Sequence, residues 1–580
     1  MSDVLGSAAW STDPGHWRYE PLGNAGSAIH GGNFLLLGES PLNHGCLHVR
    51  PPVQHMITIA PTRSGKGVSL ILPNLLTYQG AVLVVDPKGE NAWITAPRRR
   101  QFGQKVRILD PWGEVNRRYG SRAGIAEEVA RFNPLSILKP GSADFVEDLA
   151  YLADALIITQ STKEPYWDDT ARELWAGLLA LVVEHPEYRP FACLALARKL
   201  LMRPNEELAR TIQIAIDLGP ESMAAQKLAQ FQDMKNSTAI MSVISAARTQ
   251  TSFLDNPVLN ESMETSDFSF DELCDGNISV YLVLPPDKLE TYARWLRLMV
   301  SIGIRAVARG GSQGRLPALF VLDEFGTIGK LNAVANAYGL MAGLGMIMWT
   351  FSQDLNQLKR DYPDHWETFI GNSQAVTCFG VMDNFTAEYI SKMLGTATIE
   401  QTNVSTSTGK SVGPPQQNAP IWASRTSYST STSYSKQTLS RPLLHPDEVR
   451  GLGPNECLIL GRFPPIRGRR IVYHEDWDLL HSARPDPHFP HTEDVRWVAL
   501  QRRLFEMGSV ARLLQEYGIG VKKLMGGRYE VKTIAGKWTH TFASANELWR
   551  WTYELAMDGV PPEQTLPADA GAAALSSGSV

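Results

Sequence analysis

Short apolar runs, each ending in a turn or a charged cluster, mark out the first third of this chain. Met56–Ala60 is a short apolar strand candidate. Ala81–Val85 is apolar without a break, the pattern of a strand buried on both faces of a parallel sheet. Val106–Leu109 repeats it. A glycine-containing loop follows Ala60, and the other two runs end at Asp86-Pro87-Lys88-Gly89-Glu90 and Asp110-Pro111-Trp112. Strand ends of this kind suit the carboxyl edge of an open α/β sheet, where ligands sit. A helix is predicted from Gly67 to about Leu76.

Between 141 and 265 the period changes. Apolar residues recur at helical spacing through Phe145–Ile158, Thr170–Val183, Phe191–Leu201, Ala224–Phe231 and Ala239–Thr249. Strand-like runs return at Ile278–Leu284, Ala318–Leu322, Met346–Phe351 and Ala375–Phe379. The pattern predicts one α/β domain, 51–140 and 266–480, interrupted by an all-α domain at 141–265. Residues 1–50, Gly- and Pro-rich with one strand candidate at Phe34–Leu37, are expected to lie along its surface. The Ser/Thr-rich stretch 401–440 reads as a flexible loop. Sheet signals resume at Cys457–Leu460 and Arg470–Tyr473.

Residues 490–560 read as a small α+β extension. A helix at Val495–Tyr517 precedes two strands about the turn at Met525-Gly526-Gly527, with a third at Thr539–Phe542. Ser544-Ala545-Asn546-Glu547 matches a capping box ahead of a Trp-rich helix. The Ala/Gly/Ser-rich tail, 565–580, is expected to be disordered.

Composition changes this picture little. With 580 residues, 43% hydrophobic and 20% charged, the chain has the makeup of a multidomain globular protein. A net charge of −5 argues against a generally basic nucleic-acid coat protein. Five scattered cysteines (Cys46, Cys193, Cys274, Cys378, Cys457), none in a CxxC spacing, point away from zinc and disulfides and toward a reducing compartment. Neither Leu174–Val183 nor Gly339–Phe351 is long enough to span a membrane, and the N-terminus lacks the basic and apolar regions of a signal peptide.

The candidate chemistry begins at Ala60-Pro61-Thr62-Arg63-Ser64-Gly65-Lys66-Gly67-Val68-Ser69. A loop between a strand and a helix turns backbone N–H groups and the positive end of the helix toward an anion. Gly65 allows close approach of the backbone, and Lys66 adds a full charge. The match to a phosphate-binding loop is imperfect: Ala60 stands where the first Gly belongs, and Gly67 where a hydroxyl holds Mg2+. Downstream, the apolar run Leu319–Leu322 ends in Asp323-Glu324, one carboxylate to hold Mg2+ through water and one to activate the attacking water. Gln353, after Met346–Phe351, is positioned to sense a γ-phosphate. The alternative for each is an ordinary strand–turn corner.

With these blocks in view, the chain resembles the type IV coupling proteins, the motor ATPases of conjugation and type IV secretion, from about residue 32 to 475. Further blocks in the same order are Phe132-Asn133-Pro134-Leu135, Glu164-Pro165-Tyr166-Trp167, Ser352 to Leu358, Asn384 to Tyr389 and Arg441-Pro442-Leu443-Leu444. The resemblance implies a RecA-like P-loop domain split by an all-α domain. It implies ATP and Mg2+, bound by Thr62, Arg63, Ser64, Gly65, Lys66, Gly67 and Val68 with Asp323 for the metal, and a catalytic set of Lys66, Glu324 and Gln353. It implies a homo-hexameric ring that delivers relaxase–DNA complexes or protein effectors to a channel. Gly67 is a variant found within the family.

Many members begin with transmembrane helices. This chain shows none, so the expectation is the cytoplasm or the cytoplasmic face of the inner membrane, held there by other secretion-system subunits. Rings of this type use an arginine finger; Arg248 and Arg360 are the candidates, against ordinary surface arginines.

Two other functions fit the same residues. One is a cytoplasmic double-stranded DNA translocase or helicase. The other is a non-hydrolysing adaptor, which Ala60 and Gly67 keep open and Asp323-Glu324 oppose. Weaker signals have structural readings beside functional ones: Arg98-Arg99-Arg100 as a solvated helix end or a DNA-facing patch, Asp168 and Asp169 as helix-start acids, Trp538, Trp549 and Trp551 as a small core or a stacking platform, and His44, His55 and His445 as structural histidines.

Overall fold

The computed structural model describes residues 8–10, 34–40, 46–50, 54–120, 128–158, 166–232, 238–311, 314–341, 343–413 and 426–485, with short stretches between 495 and 552. Its strands are β1 Leu35–Glu39, β2 Cys46–Val49, β3 His55–Ile59, β4 Val82–Val85, β5 Lys105–Leu109, β6 Ile278–Leu282, β7 Ala318–Leu322 and β8 Met346–Ser352. There follow β9 Ser373–Cys378, β10 Thr396–Val412, β11 Thr426–Pro442, β12 Glu456–Gly461, β13 Ile466–Arg469, β14 Ile519–Lys523, β15 Tyr529–Thr533 and β16 Thr539–Phe542. Eleven of them form one sheet in the order β2-β1-β13-β12-β9-β3-β8-β7-β4-β6-β5.

From β9 to β5 every neighbouring pair is parallel. A parallel strand needs cover on both faces, and the sequence supplies it. Along β4, Leu83 and Val85 face one core while Val82 and Val84 face the other; in β7, Phe320 and Leu322 oppose Leu319 and Val321 in the same way. One face carries the helical run Gly67–Thr77 and the helix Glu90–Gln101. The other carries the 22-residue helix Leu289–Gly310, where Gly303 lets the helix settle close: a Cβ there would stand 2.6 Å from Leu83 Cδ1.

The same face continues into the helical insertion. Its main helices are Phe145–Leu156, Tyr166–Glu184, Leu194–Leu201, Asn205–Ile216 and Thr238–Gln250. The helix Asn205–Ile216 goes unread in the sequence because its buried stripe, Leu208, Thr211, Ile212 and Ala215, is narrow and includes a polar residue. Entry and exit of the insertion lie side by side: Phe132 N–H donates to Ser262 O at 3.0 Å, and Asp267 N–H to Arg131 O at 3.0 Å. Asn133 pins this junction. Its carboxamide oxygen accepts from Leu135 N–H, and its amide donates to Ala192 O at 2.7 Å and Glu264 O at 3.1 Å.

Several expectations are corrected. Within 1–50, β1 and β2 do not lie on the surface: they extend the sheet antiparallel beyond β13, and every residue of β1 is buried. The Ser/Thr-rich stretch is no flexible loop where it is described, since β10 and β11 pair one to one over 17 positions. Thr is β-branched and suits extended backbone, which composition alone conceals. Arg470–Tyr473 is not a strand. β13 ends at Arg469, and the following residues turn onto the loop after β3.

Arg99 is neither a solvated helix end nor a surface patch. It is buried, donating to the carbonyls of Leu75, Tyr78 and Gly80 and to Ser279 Oγ, and burial lowers its pKa to about 10.

In the extension, β14, β15 and β16 form the expected three-stranded sheet, and Trp551 is buried against Phe542, a core rather than a platform. Most of the Val495–Tyr517 helix, the 544–547 cap, Trp538, Trp549, His44, Glu164-Pro165 and the 565–580 tail lie outside the described residues. Among the described residues no helix is long and apolar enough to cross a membrane.

His55, at the start of β3, shows how tightly this sheet is tied. It is fully buried, with Nε2 2.8 Å from Ala337 O and Nδ1 accepting from Met348 N–H at 3.1 Å. Burial pushes its pKa down to about 4 although the Ala337 carbonyl works the other way. The unfolded chain takes up this proton near pH 6.5 and the folded chain does not, so the stability is complete above pH 6.5 and is lost as pH falls. The slope is at most about 1.4 kcal/mol per pH unit. We expect the melting temperature to drop between pH 7 and pH 5, and His55→Gln to flatten that drop in scanning fluorimetry.

Candidate functional site

Four adjacent strands, β3-β8-β7-β4, bring together residues far apart in the chain. At their carboxyl ends stand the loop Ala60–Lys66, Gln353, Asp323-Glu324 and Asp86. Parallel pairing makes this one edge rather than two, so every one of these turns opens on the same side of the sheet. They surround a cavity of about 570 Å3 lined by Thr62, Arg63, Gly65, Lys66, Gly67 and Val68 from the loop, with Asp86, Lys88, Asp323, Glu324, Thr327 and Gln353 opposite.

Lys66 is the centre of the geometry. Its ammonium lies 2.7 Å from Glu324 Oε1 and 3.3 Å from Asp323 Oδ1. Gln353 Nε2 donates to the other Glu324 oxygen at 2.8 Å. Burial on its own would lower the Lys66 pKa, but the charges of Asp323 and Glu324 outweigh it and raise it. Glu324 also resists burial: Lys66 and the Gln353 amide hold its carboxyl below the usual range. Asp323 goes the other way, raised by burial and by the Glu324 charge against the pull of Lys66. The two acids, adjacent in sequence, are thus pushed in opposite directions.

The backbone is bent to fit. Among the described residues only two non-glycines have positive φ, Arg63 at 62° and Glu324 at 52°, and both line this cavity. Such conformations cost of order 1–3 kcal/mol and persist where a site demands them. Gly65 at φ 89° holds a backbone conformation that residues with side chains rarely adopt, and a Cβ there would also push aside Arg470 Nη1, at 2.8 Å. The helical run begins at Gly67, and its first two residues, Gly67 and Val68, line the cavity, while Ser69 N–H is already taken by Gly65 O at 3.0 Å. These features fit a polyphosphate: a half-enclosed cavity, a cation whose present partners are exchangeable carboxylates, and a helix start.

The residues the sequence assigned to nucleotide, metal and catalysis all line this cavity except Ser64, whose hydroxyl turns away onto Pro61 O at 2.6 Å. Gly67 faces open space, with nothing within 4 Å of where a Cβ would sit.

Three contributors went unassigned in the sequence. Asp86 is buried, and burial lifts its pKa to about 7 although it accepts from Ala92 N–H. Lys88 lines the cavity from the same turn; both sit in a block whose strand end was the visible signal. Arg470 has no local signal at all. It donates to Ser64 O, 406 residues away, and to Pro454 O, and stacks 5.1 Å over Phe379. With the Tyr473 N–H to Val68 O bond, it clamps the loop from behind.

The remaining candidates have local partners. Arg248 donates to Leu201 O and Arg203 O, and Arg360 pairs with Asp361. His445 caps the helix Pro446–Arg450; Asp168 accepts from Gln250, and Asp169 pairs with Arg172.

Comparison with known proteins bears on the family and the fold. Residues 5–502 match the family model described as Type IV secretory system Conjugative DNA transfer. The conjugal transfer protein TraG of Escherichia coli is 29% identical over 463 residues, covering 73% of this chain and 68% of its own length. The protein VirD4 of Rhizobium rhizogenes is 26% identical over 475 residues, covering 79% of this chain and 63% of its own. The fold is also that of the bacterial conjugative coupling protein TrwB, crystallised without its first 70 residues. The match has a TM-score of 0.54 at 13% identity, over 79% of this chain and 93% of that one. TrwB has also been crystallised with ADP and Mg2+ (TM-score 0.52, 13% identity, over 72% of this chain and 85% of that one).

The Arg470 clamp carries a prediction. Arg470→Ala removes charge-assisted bonds of roughly 1.5–3 kcal/mol that hold the loop in shape. We expect about tenfold weaker binding of a fluorescent ATP analogue, with a melting temperature that shows the chain still folded.

Proposed function

The chain belongs to the type IV secretory system conjugative DNA transfer family, and from that premise we propose that it is an ATP-hydrolysing coupling protein. In this reading it recruits relaxase–DNA complexes or protein effectors and drives them into a type IV secretion or conjugation channel. The observation that carries it is the Lys66–Glu324–Gln353 chain of contacts, with Asp323 beside Lys66, at the mouth of the loop. A cargo adaptor has no use for such a set. The name of TraG and the ADP and Mg2+ complex of TrwB support the same reading.

Lys66 now spends its charge on two carboxylates. Phosphate oxygens, more highly charged and in line with the helix start, would take it from them. Glu324, released from Lys66, becomes more basic and accepts the proton of the attacking water, while Gln353 holds its other oxygen and registers the change. Asp323 and the open side of Gly67 are where Mg2+ would be held, through water. Mg2+ there supplies charge neutralisation on the phosphates. Arg63 and Lys88 add positive charge around the phosphates. Assembly into a hexameric ring at the cytoplasmic face of the membrane, with contact to other secretion subunits, belongs to the same proposal.

Removing a general base costs about 10²–10⁴ in rate. Glu324→Gln should therefore retain nucleotide binding and lose at least about a hundredfold in phosphate release, and Lys66→Ala should lose both. Turnover unchanged in the two purified variants would overturn the assignment.

Gly67→Ser has room for its hydroxyl and should leave the fold intact while lowering the Mg2+ concentration for half-maximal turnover. An unchanged Mg2+ requirement would mean that position 67 does not reach the metal's ligand shell.

A further inference from the structure

The long ribbon formed by β10 and β11 takes no part in the site. It leaves the fold after the helix Asn384–Leu394 and Gly395 and returns at Pro442, its base closed by Leu443 N–H to Gly395 O at 2.9 Å. Each strand has 17 residues, about 58 Å of extended chain. Both faces of the described ribbon are exposed over almost its whole length, and a two-stranded ribbon alone in water is marginal.

Its register sorts the side chains into two unlike faces. Thr402 opposes Lys436, Val404 Tyr434, Thr406 Thr432, Thr408 Thr430, and Lys410 Tyr428. On the other face Asn403 opposes Ser435, Ser405 Ser433, Ser407 Ser431, and Gly409 Ser429. One face is thus cationic, aromatic and β-branched; the other is flat and made of small hydroxyls and amides.

The charge is as lopsided as the faces. From Thr396 to Pro442 the sequence has Lys410, Arg425, Lys436 and Arg441 against one acid, Glu400, in a chain whose net charge is −5; Lys410 and Lys436 share the tyrosine face with Glu400, while Arg441, opposite Ala397, lies on the other face and pairs with Glu448. Tyr428 and Tyr434 are 75% and 72% exposed, and the Lys410 ammonium lies 6.0 Å from the Tyr428 ring. Lys436 makes an exposed ion pair with Glu400 at 3.5 Å, of a kind worth at most about 1 kcal/mol and readily exchanged. An apolar partner would find no large aliphatic cluster here. A polyanion finds ammonium groups, hydroxyl donors and aromatic rings on one surface, the set that holds nucleic-acid backbones and bases.

We propose that the Thr/Lys/Tyr face of the β10–β11 ribbon is a contact arm for a nucleic-acid strand. Thr402 and Lys410, eight residues apart on that face, span about 27 Å, the rise of about eight nucleotides of a duplex strand. The proposal rests on the chain being a DNA-transfer motor and assigns the cargo contact to a named surface.

The test uses the full-length chain and fluorescence anisotropy with a 30-nucleotide single strand and a 30-base-pair duplex, over a range of salt. Lys410→Ala with Lys436→Ala should weaken binding about tenfold and lower the salt slope by about 2. Tyr428→Ala with Tyr434→Ala should weaken the single strand more than the duplex. Thr406→Lys with Thr432→Lys should tighten binding, a gain that misfolding cannot mimic. Ser405→Ala with Ser433→Ala, on the flat face, should change nothing, and DNA-free ATP turnover should be unaltered throughout.

Lysine removal and lysine addition both without effect would overturn the arm, pointing instead to a protein or second copy on the ribbon. So would a wild-type chain that hydrolyses ATP and binds neither probe, although the motor reading would then stand. Lysine-dependent binding in a chain without ATP turnover would keep the arm and remove the motor.

Discussion

A buried ammonium needs carboxylates, and the Lys66 charge is what the surrounding structure is arranged to keep. Glu324 at 2.7 Å and Asp323 at 3.3 Å supply the compensation. To do so, β7 must end beside β8, one strand away from β3, and Glu324 must adopt a left-handed backbone that few residues take up. The loop must hold Lys66 at the right height, which is the task of Arg470 and Tyr473 behind it. Without both acids a desolvated charge would be left without a partner, at a cost on the order of several kcal/mol. In the proposed reading, phosphate would replace the carboxylates by answering the same electrostatic demand.

Much of this was legible in the sequence. The apolar runs ending in Asp86 and Asp323, and the loop through Lys66, are local signals, because a strand buried on both faces must be apolar throughout and must then stop. The chemistry at those stops was readable for the same reason. Arg470 was not. Its role is fixed by where β13 ends in space, and the second arginine of Arg469-Arg470, ahead of an apolar stretch, reads as the start of a strand. Arg99 misled in the opposite way: three consecutive arginines suggest solvent, yet the middle one points inward at the carbonyls of the Leu75–Gly80 turn. Helical geometry separates neighbours by about 100°, so adjacent residues need share no environment.

The ribbon shows a limit of composition. Ser, Thr, Gln and Asn in a run resemble a linker, and nothing apolar marks a core because none is present. What orders β10 and β11 is the ladder itself, from Thr396 opposite Pro442 to Val412 opposite Thr426. The alternation that distinguishes its faces appears only once the two strands are laid against each other. Thr406 and Ser407 look equivalent in a list of residues; paired with Thr432 and Ser431 they belong to different surfaces.

Asn133 has a meaning beyond the bonds it makes. Because the chain enters and leaves the helical insertion at neighbouring points, the insertion is closed at its neck by a short cluster of bonds, from Arg131, Phe132 and Asn133 on the incoming segment to Glu261, Ser262, Glu264, Ser266 and Asp267 on the outgoing one. The sheet experiences it as a short connection, whatever its length. What fixes the insertion against the sheet is then a second set of bonds, from Arg294, Arg297, Arg305 and Arg309 of the helix Leu289–Gly310 to Leu156 O, Ala155 O and the Asp148 carboxylate, so its first helix moves with the sheet and not with the neck alone.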